Sequence, residues 1–459
     1  PSSRPNRLYF DYAASTPVAP GVLRAMQPYF SEKFGNPGSL HSFGQEAMTA
    51  VDLSRETVAK IIGADFREIV FTGSATEANN FALRGIVKAA RFFPSETGRS
   101  LAPAASAALG LSPRRLAASR QDRARRGSET FLQKKTALLR IIVSSIEHES
   151  VLETAKDLAE NEGVEVIYLP VNKNGMVDLK KLKESLNERT ILVSVMHANN
   201  EIGTIQPIAE ISNIVRNFRE ELRIKNDEPT KKSKFIIHNS PFPLFHTDAV
   251  QAFQFLDCDV EKLGVDFMTL SAHKIYGPKG IGILYVRKQN FLNTKSYFLD
   301  SIITGGGQEF NLRSGTENVP AIVGFAEAVE LADKLREKES KRIGDLRNYF
   351  WQEIKKIYPK VQLNPTNNLQ PIICIPNILN IYFPNRRAED LIIKMDMVGL
   401  AVSAGSACAA RATEFSHVLT ALGLSKERIR GSVRFSFGRF TTKSEVKEAL
   451  RRLKNLNLA

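Results

Sequence analysis

The sequence predicts an α/β protein with a large domain, built on a mostly parallel sheet flanked by helices, and a smaller α+β domain. Three observations lead to this fold class. Through the first two thirds of the chain, short β-rich runs alternate with helical stretches, which is typical of a parallel sheet covered on both faces. In the last third, helical stretches outnumber strands. The length of 459 residues also exceeds what one compact core usually organises.

The individual elements follow from apolar periodicity. Buried strands are predicted at residues 140–145, 164–169, 191–196 and 267–271. Helices are predicted at residues 150–161, 179–186, 326–340 and 346–357. The pattern changes near residues 325–340, so we assign residues 20–334 to the large domain and residues 1–19 plus 335–459 to the small one.

Two segments look inserted into this framework. Residues 91–135 are rich in Ala, Ser, Arg and Pro and lack aromatic residues between Phe93 and Phe131, which predicts a loop with at most short helix. Residues 223–245 combine a charged run with a proline-broken stretch. Residues 91–140 hold eleven Lys or Arg and three acidic residues, so most of the net charge of +14 belongs to the first insert.

Composition excludes several classes of protein. With 43% hydrophobic and 24% charged residues the chain resembles an ordinary globular protein, and no apolar run reaches the ~18–20 residues that span a bilayer. The first 30 residues show no secretory signal pattern. The three cysteines, Cys258, Cys374 and Cys408, are far apart and form no CxxC pair, so neither a disulfide framework nor a metal site is expected. We expect a reducing compartment, the cytoplasm or an organelle matrix.

The string SAHKIYGPKG contains the most specific candidate residue, Lys274. It follows a predicted strand, and ligands of open α/β sheets bind at the carboxyl ends of strands. A lysine amine at such a place can form a Schiff base with an aldehyde cofactor, although a lone lysine is usually a solvated surface charge. Ser271 and His273 can donate hydrogen bonds to a phosphate, and the glycines allow the backbone to approach it.

The string FTGSATEANN offers a second phosphate-binding feature. Ala75 and Thr76 begin a predicted helix after a short strand, and a helix N-terminus with small residues and a hydroxyl binds phosphate readily. Without the other strings, the same residues describe an ordinary capped helix, with Ser74 or Thr76 as the cap and Glu77 in the first turn.

The string HTDAVQ places Asp248 at the end of a strand. A buried carboxylate is costly unless it is paired, and the pyridinium nitrogen of pyridoxal 5′-phosphate (PLP) is such a partner. Gln251 lies three residues on and can reach the ring hydroxyl. A capping aspartate before a helix explains the string equally well.

Two more strings follow predicted strands. His148, in IEHE, can stack on a cofactor ring and transfer protons near neutral pH, and Asn200, in HANNE, can contact the ring oxygen. Each also has an ordinary explanation, an isolated core histidine and a polar turn.

The last two candidates lie late in the chain. Cys408 sits in the small-residue stretch SAGSAC, where a thiol can swing towards a substrate, although a free cysteine is more often a buried apolar residue. Arg434 lies in SVRFSFGRF, which alternates like a strand, and an arginine can hold a carboxylate through two parallel hydrogen bonds. Cys258 and Cys374 keep the structural interpretation.

Taken together and in order, these strings resemble the cysteine desulfurases of the NifS/IscS type, which belong to the class V aminotransferase group of PLP fold type I. The resemblance covers almost the whole chain except the two inserts. It extends over YFDYAASTPV, FGNPGSLHSFG, FTGSATEANN, EHESV, MHANNEIG, HTDAVQ, SAHKIYGPKGIG, GGGQEFNLRSGTEN, SAGSAC and VRFSFGRFT.

The resemblance implies a role for each matching residue. PLP is expected on Lys274, and Cys408 is expected to take sulfur from L-cysteine as a persulfide, leaving alanine. His148 is expected to stack on the ring and to handle protons. The remaining cofactor contacts implied are Ala75, Thr76, Ser271 and His273 at the phosphate, Asp248 at the pyridine nitrogen, Gln251 and Asn200 at the ring oxygen, and Thr316 from the second subunit of a homodimer. Arg434 with Asn36 is expected to hold the substrate carboxylate.

Partners and alternatives also follow at this stage. The resemblance implies a sulfur acceptor such as an iron–sulfur scaffold, with tRNA thiolation and cofactor synthesis as other destinations. A selenocysteine lyase, or another PLP-dependent C–S lyase of the same group, is the first alternative function. The second is a non-catalytic protein whose basic insert binds nucleic acid or an acidic partner. Because the insert lacks aromatic residues between Phe93 and Phe131 for base stacking, any binding of nucleic acid would rest on phosphate contacts and depend strongly on salt, and nucleic acid is not the expected partner.

Overall fold

The structure, a computed structural model, describes residues 7–92, 139–227, 242–288, 299–365, 374–405 and 415–456. Cys408, residues 93–135 of the first predicted insert and residues 228–241 of the second lie outside these ranges. The loop predictions for those segments therefore stay predictions.

Within the described residues the chain forms twelve strands and thirteen α-helices. The strands are β1 (Leu8–Tyr9), β2 (Ile69–Thr72), β3 (Arg140–Ser144), β4 (Glu165–Leu169), β5 (Thr190–Ser194), β6 (Leu244–Asp248), β7 (Phe267–Ser271), β8 (Gly282–Val286), β9 (Gln362–Leu363), β10 (Ile378–Tyr382), β11 (Leu400–Ala401) and β12 (Ser432–Ser436). The helices are α1 (Pro20–Met26), α2 (Pro28–Ser31), α3 (Ser42–Ile62), α4 (Ala75–Phe92), α5 (Glu149–Glu162), α6 (Leu179–Ser185), α7 (Ile208–Asp227), α8 (Val260–Leu263), α9 (Val319–Ile357), α10 (Ala388–Met397), α11 (His417–Ala421), α12 (Lys426–Arg430) and α13 (Lys443–Asn455).

A seven-stranded sheet with the order β2-β8-β7-β6-β5-β3-β4 forms the centre of the fold. Neighbouring strands are parallel except at β8, which is antiparallel to both β2 and β7. This confirms the predicted mostly parallel sheet, and the four predicted strands correspond to β3, β4, β5 and β7 within two residues. Because the parallel strands run in one direction, their carboxyl ends share one edge of the sheet.

Helices cover both faces of this sheet, as its apolar strands require. On one face, α4 and α5 pack against the sheet around buried residues such as Phe81, Leu158 and Val143. On the other face, a larger core continues from the sheet into the C-terminal part of the chain and includes Phe325, Phe350 and Phe435. No helix among the described residues is long and apolar enough to cross a membrane.

The C-terminal part contains two small sheets and one long helix. The sheets are β12-β10-β9, which is antiparallel, and the parallel pair β1-β11, which brings the N-terminal segment beside the C-terminal one. The prediction of two helices interrupted at residues 341–345 is wrong, because α9 runs for 39 residues without a break. Ile343 and Leu346 keep that stretch packed on the core, and Gly344 faces Pro376 at close range.

The proposed domain boundary at residues 334–335 falls inside α9. The helix contacts α1 and α3 as well as β10 and α13, so it links the elements of both proposed domains. The division into two domains stays a proposal, with α9 as the connecting element.

Candidate active site

A cavity of about 220 Å³ opens at the carboxyl edge of the large sheet. It is lined by side chains that follow the ends of different strands, since β3 leads to His148, β6 ends at Asp248 and β7 leads to Lys274. Ten of the predicted site residues line it: Ala75, Thr76, His148, Asn200, Asp248, Gln251, Ser271, His273, Lys274 and Arg434. The lining also includes Ala13, Ala14, Ser74, Ser150, Met196 and Val250, for which the sequence predicted no part in binding.

Lys274 is held by the N-terminal segment of the chain. Its Nζ donates hydrogen bonds to the carbonyl oxygens of Ala13, at 2.6 Å, and Ala14, at 2.7 Å. The same segment is fastened to the lysine loop through Thr16, whose hydroxyl donates to the carbonyl of His273 at 3.0 Å and accepts from the amide of Tyr276 at 2.8 Å. The motif YFDYAASTPV, which had no assigned role, thus positions the amine.

The phosphate-binding prediction concerns the start of α4. The Ser74 hydroxyl caps the helix by accepting from the Glu77 amide at 3.1 Å, and Glu77 accepts from the Gly73 amide at 2.9 Å. The backbone amides of a first helical turn have no partner within the helix, so this turn presents donors to the cavity. Gly282 of β8 permits the close approach, because a Cβ there would meet the Ala75 nitrogen at 3.1 Å.

Asp248 is a buried carboxylate held by amide donors. Its Oδ2 accepts from Asn79 Nδ2 at 2.8 Å, and its Oδ1 accepts from the Val250 amide at 3.0 Å. Asp248 is only 4% exposed, and a buried carboxylate is usually paired with a cation, yet among the described residues it forms no salt bridge. Gln251 Nε2 donates to the Ala13 carbonyl at 2.9 Å, which ties this strand end to the segment that holds Lys274.

His148 is the N-cap residue of α5. Its Nδ1 accepts from the Ser150 amide at 3.1 Å and lies 2.9 Å from the Ser150 hydroxyl. Burial lowers the pKa of His148, and the charge of Lys274 adds to this effect while Asp248 opposes it. Burial, with the charges of Lys274 and Lys279, lowers the pKa of His273 to about 4. Both imidazoles are therefore neutral near pH 7.

Glu147 lies directly behind His148 and was not anticipated from the sequence. It is 0% exposed, its Oε1 accepts from the Met196 amide at 2.7 Å, and its Oε2 has no hydrogen-bond partner in the described part of the chain. Burial raises the pKa of Glu147 to about 8, with a smaller contribution from the charge of Asp248, against the opposing effects of the Met196 amide and the nearby Ser144 hydroxyl. The only sequence signal was its position directly before His148, three residues after the end of β3.

Arg434, 1% exposed on β12, connects the small sheet to the cavity. Its Nη1 donates to the carbonyl of Asn200 at 2.8 Å, and its Nη2 pairs with Asp11 Oδ1 at 2.7 Å. Its buried Nε has no partner among the described residues. A guanidinium fixed in this way at a cavity wall can recognise a carboxylate.

Two predicted site residues lie elsewhere in the chain. Asn36 and Thr316 line a second cavity with Phe34 and Tyr29, and neither lines the cavity that contains Lys274. A single chain therefore does not bring Asn36 next to Arg434, and the joint grip of these two residues on one substrate carboxylate stays a prediction.

The cysteines differ in their surroundings. Cys258 is buried beside His197, and burial raises the pKa of its thiol to about 12. Cys374 is also buried, with its sulfur 3.3 Å from Arg347 Nη1, and burial raises the pKa of its thiol despite that neighbour. Neither lines the cavity. Cys408 lies outside the described residues.

The described residues on either side of the Cys408 segment, Gly405 and Ser416, both lie against the side chain of Glu201. Its Oε2 accepts from the Ser416 hydroxyl at 2.6 Å, and a Cβ on Gly405 would come 3.2 Å from the same oxygen. Ser403 pairs with Arg434 through two backbone hydrogen bonds. The described residues on both sides of the Cys408 segment therefore lie near the cavity.

These residues fit PLP on chemical grounds. Asp248 is a buried carboxylate that has no cationic side chain bound to it among the described residues, which suits a protonated ring nitrogen. The start of α4, with Ser271 and His273, offers donors for a phosphate, and Lys274 offers an amine in the same cavity. The donor set thus matches the group that the sequence resemblance implies.

Comparisons with known proteins point in the same direction. The model of the aminotransferase class-V family matches residues 8–96, 127–223 and 228–449. Cysteine desulfurase IscS of Dictyoglomus turgidum is 39% identical over 96% of this chain and 92% of its own length. A mitosomal cysteine desulfurase of Trachipleistophora hominis is 37% identical over 97% of this chain and 85% of its own length.

Solved structures agree with the sequence relatives. A NifS-like protein matches with a TM-score of 0.76 and 32% identity, covering 98% of this chain and 99% of its own. A structure described as SspA in complex with cysteine matches with a TM-score of 0.67 and 33% identity, covering 95% of this chain and 100% of its own.

Proposed function

The chain belongs to the class-V aminotransferase family, and we propose that it is a PLP-dependent cysteine desulfurase whose sulfur-accepting nucleophile is Cys408. The overall reaction converts L-cysteine and the Cys408 thiol into L-alanine and a Cys408 persulfide. One sulfur passes from the substrate to the enzyme, so atoms and electrons balance without a further oxidant or reductant. The observation that carries the proposal is a single cavity holding Lys274, Asp248 and His148 in a chain related over its whole length to cysteine desulfurases.

The cofactor is held at three points in this proposal. Asp248 would pair with the ring nitrogen and keep it protonated, while Gln251 and Asn200 would contact the ring oxygen. The start of α4 would hold the phosphate, with Ala75, Thr76, Ser271 and His273 as its partners. PLP bound to Lys274 supplies an electron sink that stabilises negative charge on the α-carbon of an amino acid.

The substrate is oriented by further residues of the same cavity. Arg434 is already fixed by Asp11 and by the carbonyl of Asn200, so it meets a carboxylate with little loss of conformational entropy. Lys274 is the base for the α-proton, because its amine enters the same cavity. His148 presents a neutral imidazole for proton transfer nearby.

Cys408 is assigned as the nucleophile partly by comparison with the other two cysteines. The thiolate is the reactive form, and burial holds Cys258 and Cys374 in the thiol form. On one side of Cys408, Ser403 pairs with Arg434 of the cavity lining and Gly405 lies against Glu201; on the other side, the Ser416 hydroxyl donates to Glu201. The segment that contains Cys408 is therefore anchored at both ends near the cavity.

We further propose a homodimer in which Thr316 completes the phosphate site of the partner. Thr316 and Asn36 line a second cavity, away from Lys274 of their own chain. Large apolar side chains stand exposed around this region, with Phe34 66%, Phe43 52% and Leu40 92% exposed. A second copy covering this surface would bury it and bring Thr316 to the neighbouring site.

The destination of the sulfur is a protein or RNA acceptor, with an iron–sulfur scaffold as the first candidate. The relatives named above are a bacterial and a mitosomal cysteine desulfurase, so we place this chain in the cytoplasm or in an organelle matrix.

Mass spectrometry of the intact holoenzyme after incubation with L-cysteine tests the function. We expect alanine in solution and a gain of about 32 Da on the peptide that contains Cys408, which is one sulfur. Cys408→Ser keeps the size of the side chain but removes the nucleophile, because a serine hydroxyl is not ionised near neutral pH. This variant should bind PLP and cysteine, yet form little alanine and gain no sulfur.

Cys258→Ser and Cys374→Ser are the matched controls and should retain the mass gain. The assignment to Cys408 is wrong if Cys408→Ser makes persulfide and alanine at the rate of the unmodified chain. Parallel turnover with L-selenocysteine separates the desulfurase from a selenocysteine lyase, which would release selenium but make no protein-bound persulfide from cysteine.

A further inference from the structure

We propose that Ser150 and Asn79 are positioning residues: the Ser150 amide holds His148 as its Nε2–H tautomer, and the Ser150 hydroxyl with the Asn79 amide connects His148 to Asp248 through one hydrogen-bonded chain. The proposal rests on the function given above, since it assigns to these two residues the orientation of groups that act on the cofactor. Neither residue was predicted to have a function from the sequence.

The chain of contacts is continuous. Asn79 lies in α4, is 0% exposed, and its Nδ2 donates to Asp248 Oδ2 at 2.8 Å and to Ser150 Oγ at 2.8 Å. Ser150 Oγ in turn lies 2.9 Å from His148 Nδ1. The two hydrogens of the Asn79 amide are therefore both used, one on a carboxylate and one on a hydroxyl. The carboxylate fixes the orientation of the amide, because only its nitrogen can donate.

The tautomer of His148 follows from a backbone contact. The Ser150 amide donates to His148 Nδ1 at 3.1 Å, so Nδ1 is an acceptor and carries no proton in the neutral ring. The Ser150 hydroxyl accepts from Asn79, which leaves its own hydrogen free to donate to the same Nδ1. The single proton of the neutral imidazole is then on Nε2.

The position of His148 at the N-terminus of α5 strengthens this arrangement. It takes the N-cap place that serine or aspartate usually occupies, with the positive end of the helix dipole directed at Nδ1. Protonation of Nδ1 would place a positive charge against that dipole and break both donated hydrogen bonds. Ser150 thus favours the neutral ring, in the same direction as burial.

Other titratable groups also act on His148, so the contribution of Ser150 is one among several. Burial and the charges of Lys274 and His417 lower the pKa of His148, whereas Asp248 and Glu149 raise it. Removal of the Ser150 hydroxyl leaves all of these groups in place, and it leaves the backbone amide on Nδ1. The expected change is therefore a partial rise of the His148 pKa without a change of tautomer.

The primary test compares Ser150→Ala, Ser150→Thr and the control Ser145→Ala. Alanine is a good helix residue and changes little volume, so Ser150→Ala should fold and bind PLP. Ser145 directly follows β3 and also has a buried hydroxyl, but this hydroxyl has no partner among the described residues. The rate of alanine formation is measured from pH 5.5 to 9 for each holoenzyme.

We expect the acidic limb of the Ser150→Ala profile to move to higher pH by roughly half a unit or more, with a loss of roughly threefold or more near pH 6 and near-normal rates above pH 8. Ser150→Thr should restore the original limb, because it keeps the hydroxyl, and Ser145→Ala should not move it. An unshifted limb in Ser150→Ala, or an equal shift in Ser145→Ala, overturns the proposal.

A second measurement does not depend on activity. Nitrogen chemical shifts of ring-labelled histidine, with His148 assigned from the signal missing in His148→Gln, report tautomer and pKa with and without PLP. We expect an unprotonated Nδ1 in the unmodified chain and a higher pKa in Ser150→Ala. An Nδ1–H tautomer, or no change of pKa, contradicts the proposal. If the unmodified chain makes no alanine from cysteine, the proposed function fails, and the titration still decides the role of Ser150.

Discussion

The buried carboxyl of Glu147 should make the free energy of unfolding depend on pH, and replacing Glu147 by glutamine should remove that dependence. Glu147 is 0% exposed and has a pKa of about 8 in the folded chain, compared with 4.5 for an ordinary glutamate. Between these two pH values the folded state keeps the proton that the unfolded state has lost. The stabilisation is therefore complete below pH 4.5 and is lost as the pH rises towards and through 8.

The size of the effect follows from the two pKa values. At about 1.4 kcal/mol for each pKa unit, the difference between 8 and 4.5 corresponds to about 5 kcal/mol of unfolding free energy. Between pH 5.5 and pH 8 about 3 kcal/mol of this is lost. Glu147→Gln imitates the protonated carboxyl, because its amide oxygen can accept from the Met196 amide while its NH₂ replaces the OH.

The assay is urea unfolding of the holoenzyme and of the Glu147→Gln variant at pH 5.5 and pH 8, followed by circular dichroism. We expect the variant to gain stability relative to the unmodified chain by about 3 kcal/mol as the pH is raised. Glu153→Gln, on the exposed side of α5, is the matched control and should show no such gain. If the stability difference between Glu147→Gln and the unmodified chain is the same at both pH values, Glu147 is not protonated in the folded state and the reasoning is wrong.

Three further predictions concern the cofactor, the insert and the Cys408 segment. Lys274→Ala should abolish the visible absorbance of bound PLP and all alanine formation, and retained activity would remove the PLP assignment. Deletion of about Ser95–Thr130 should leave folding and PLP content intact, because this stretch has few large apolar residues to bury; an insoluble or cofactor-free product would show that it packs on the body of the protein. Glu201→Gln should weaken the contact with the Ser416 hydroxyl and slow sulfur transfer to Cys408 several-fold at unchanged PLP content, and an unchanged rate would exclude a role for this contact.

The large sheet and most of its ligand-binding edge could be predicted because both depend on local sequence. An apolar β-rich run predicts a strand, and a polar residue directly after it predicts a side chain at the sheet edge. Asp248 and Lys274 were found in this way, and the structure places both in one cavity. The continuity of α9 could not be predicted from the same rules, because the stretch around Gly344 is helical through its packing on the core rather than through its own propensity.

Contacts between distant parts of the chain could not be predicted either, because they depend on tertiary packing and not on local sequence. Ala13 and Ala14 contribute only carbonyl oxygens to Lys274, across some 260 residues of sequence, and a carbonyl has no sequence signature. The sequence analysis assigned no function to Asn79 or Ser150, because an asparagine or serine in a helix has no distinctive pattern. Their function appears only when α4 and α5 are side by side, which brings Nδ2 of one residue to Oγ of the other.

The distribution of charge explains why such unremarkable residues matter at this site. Burial keeps Glu147, His148 and His273 neutral near pH 7, so among the described residues the ionic side chains that line the cavity are Asp248, Lys274 and Arg434, the last paired with Asp11. The same cavity is lined by the carboxylate of Asp248 and by the start of α4, where the helix dipole is positive. This combination suits a ligand that carries both a cationic nitrogen and a phosphate. The neutral groups contribute hydrogen bonds rather than charge, so their orientation determines which atoms of a ligand they can bind. For His148, that orientation is set by the uncharged donors Asn79 and Ser150.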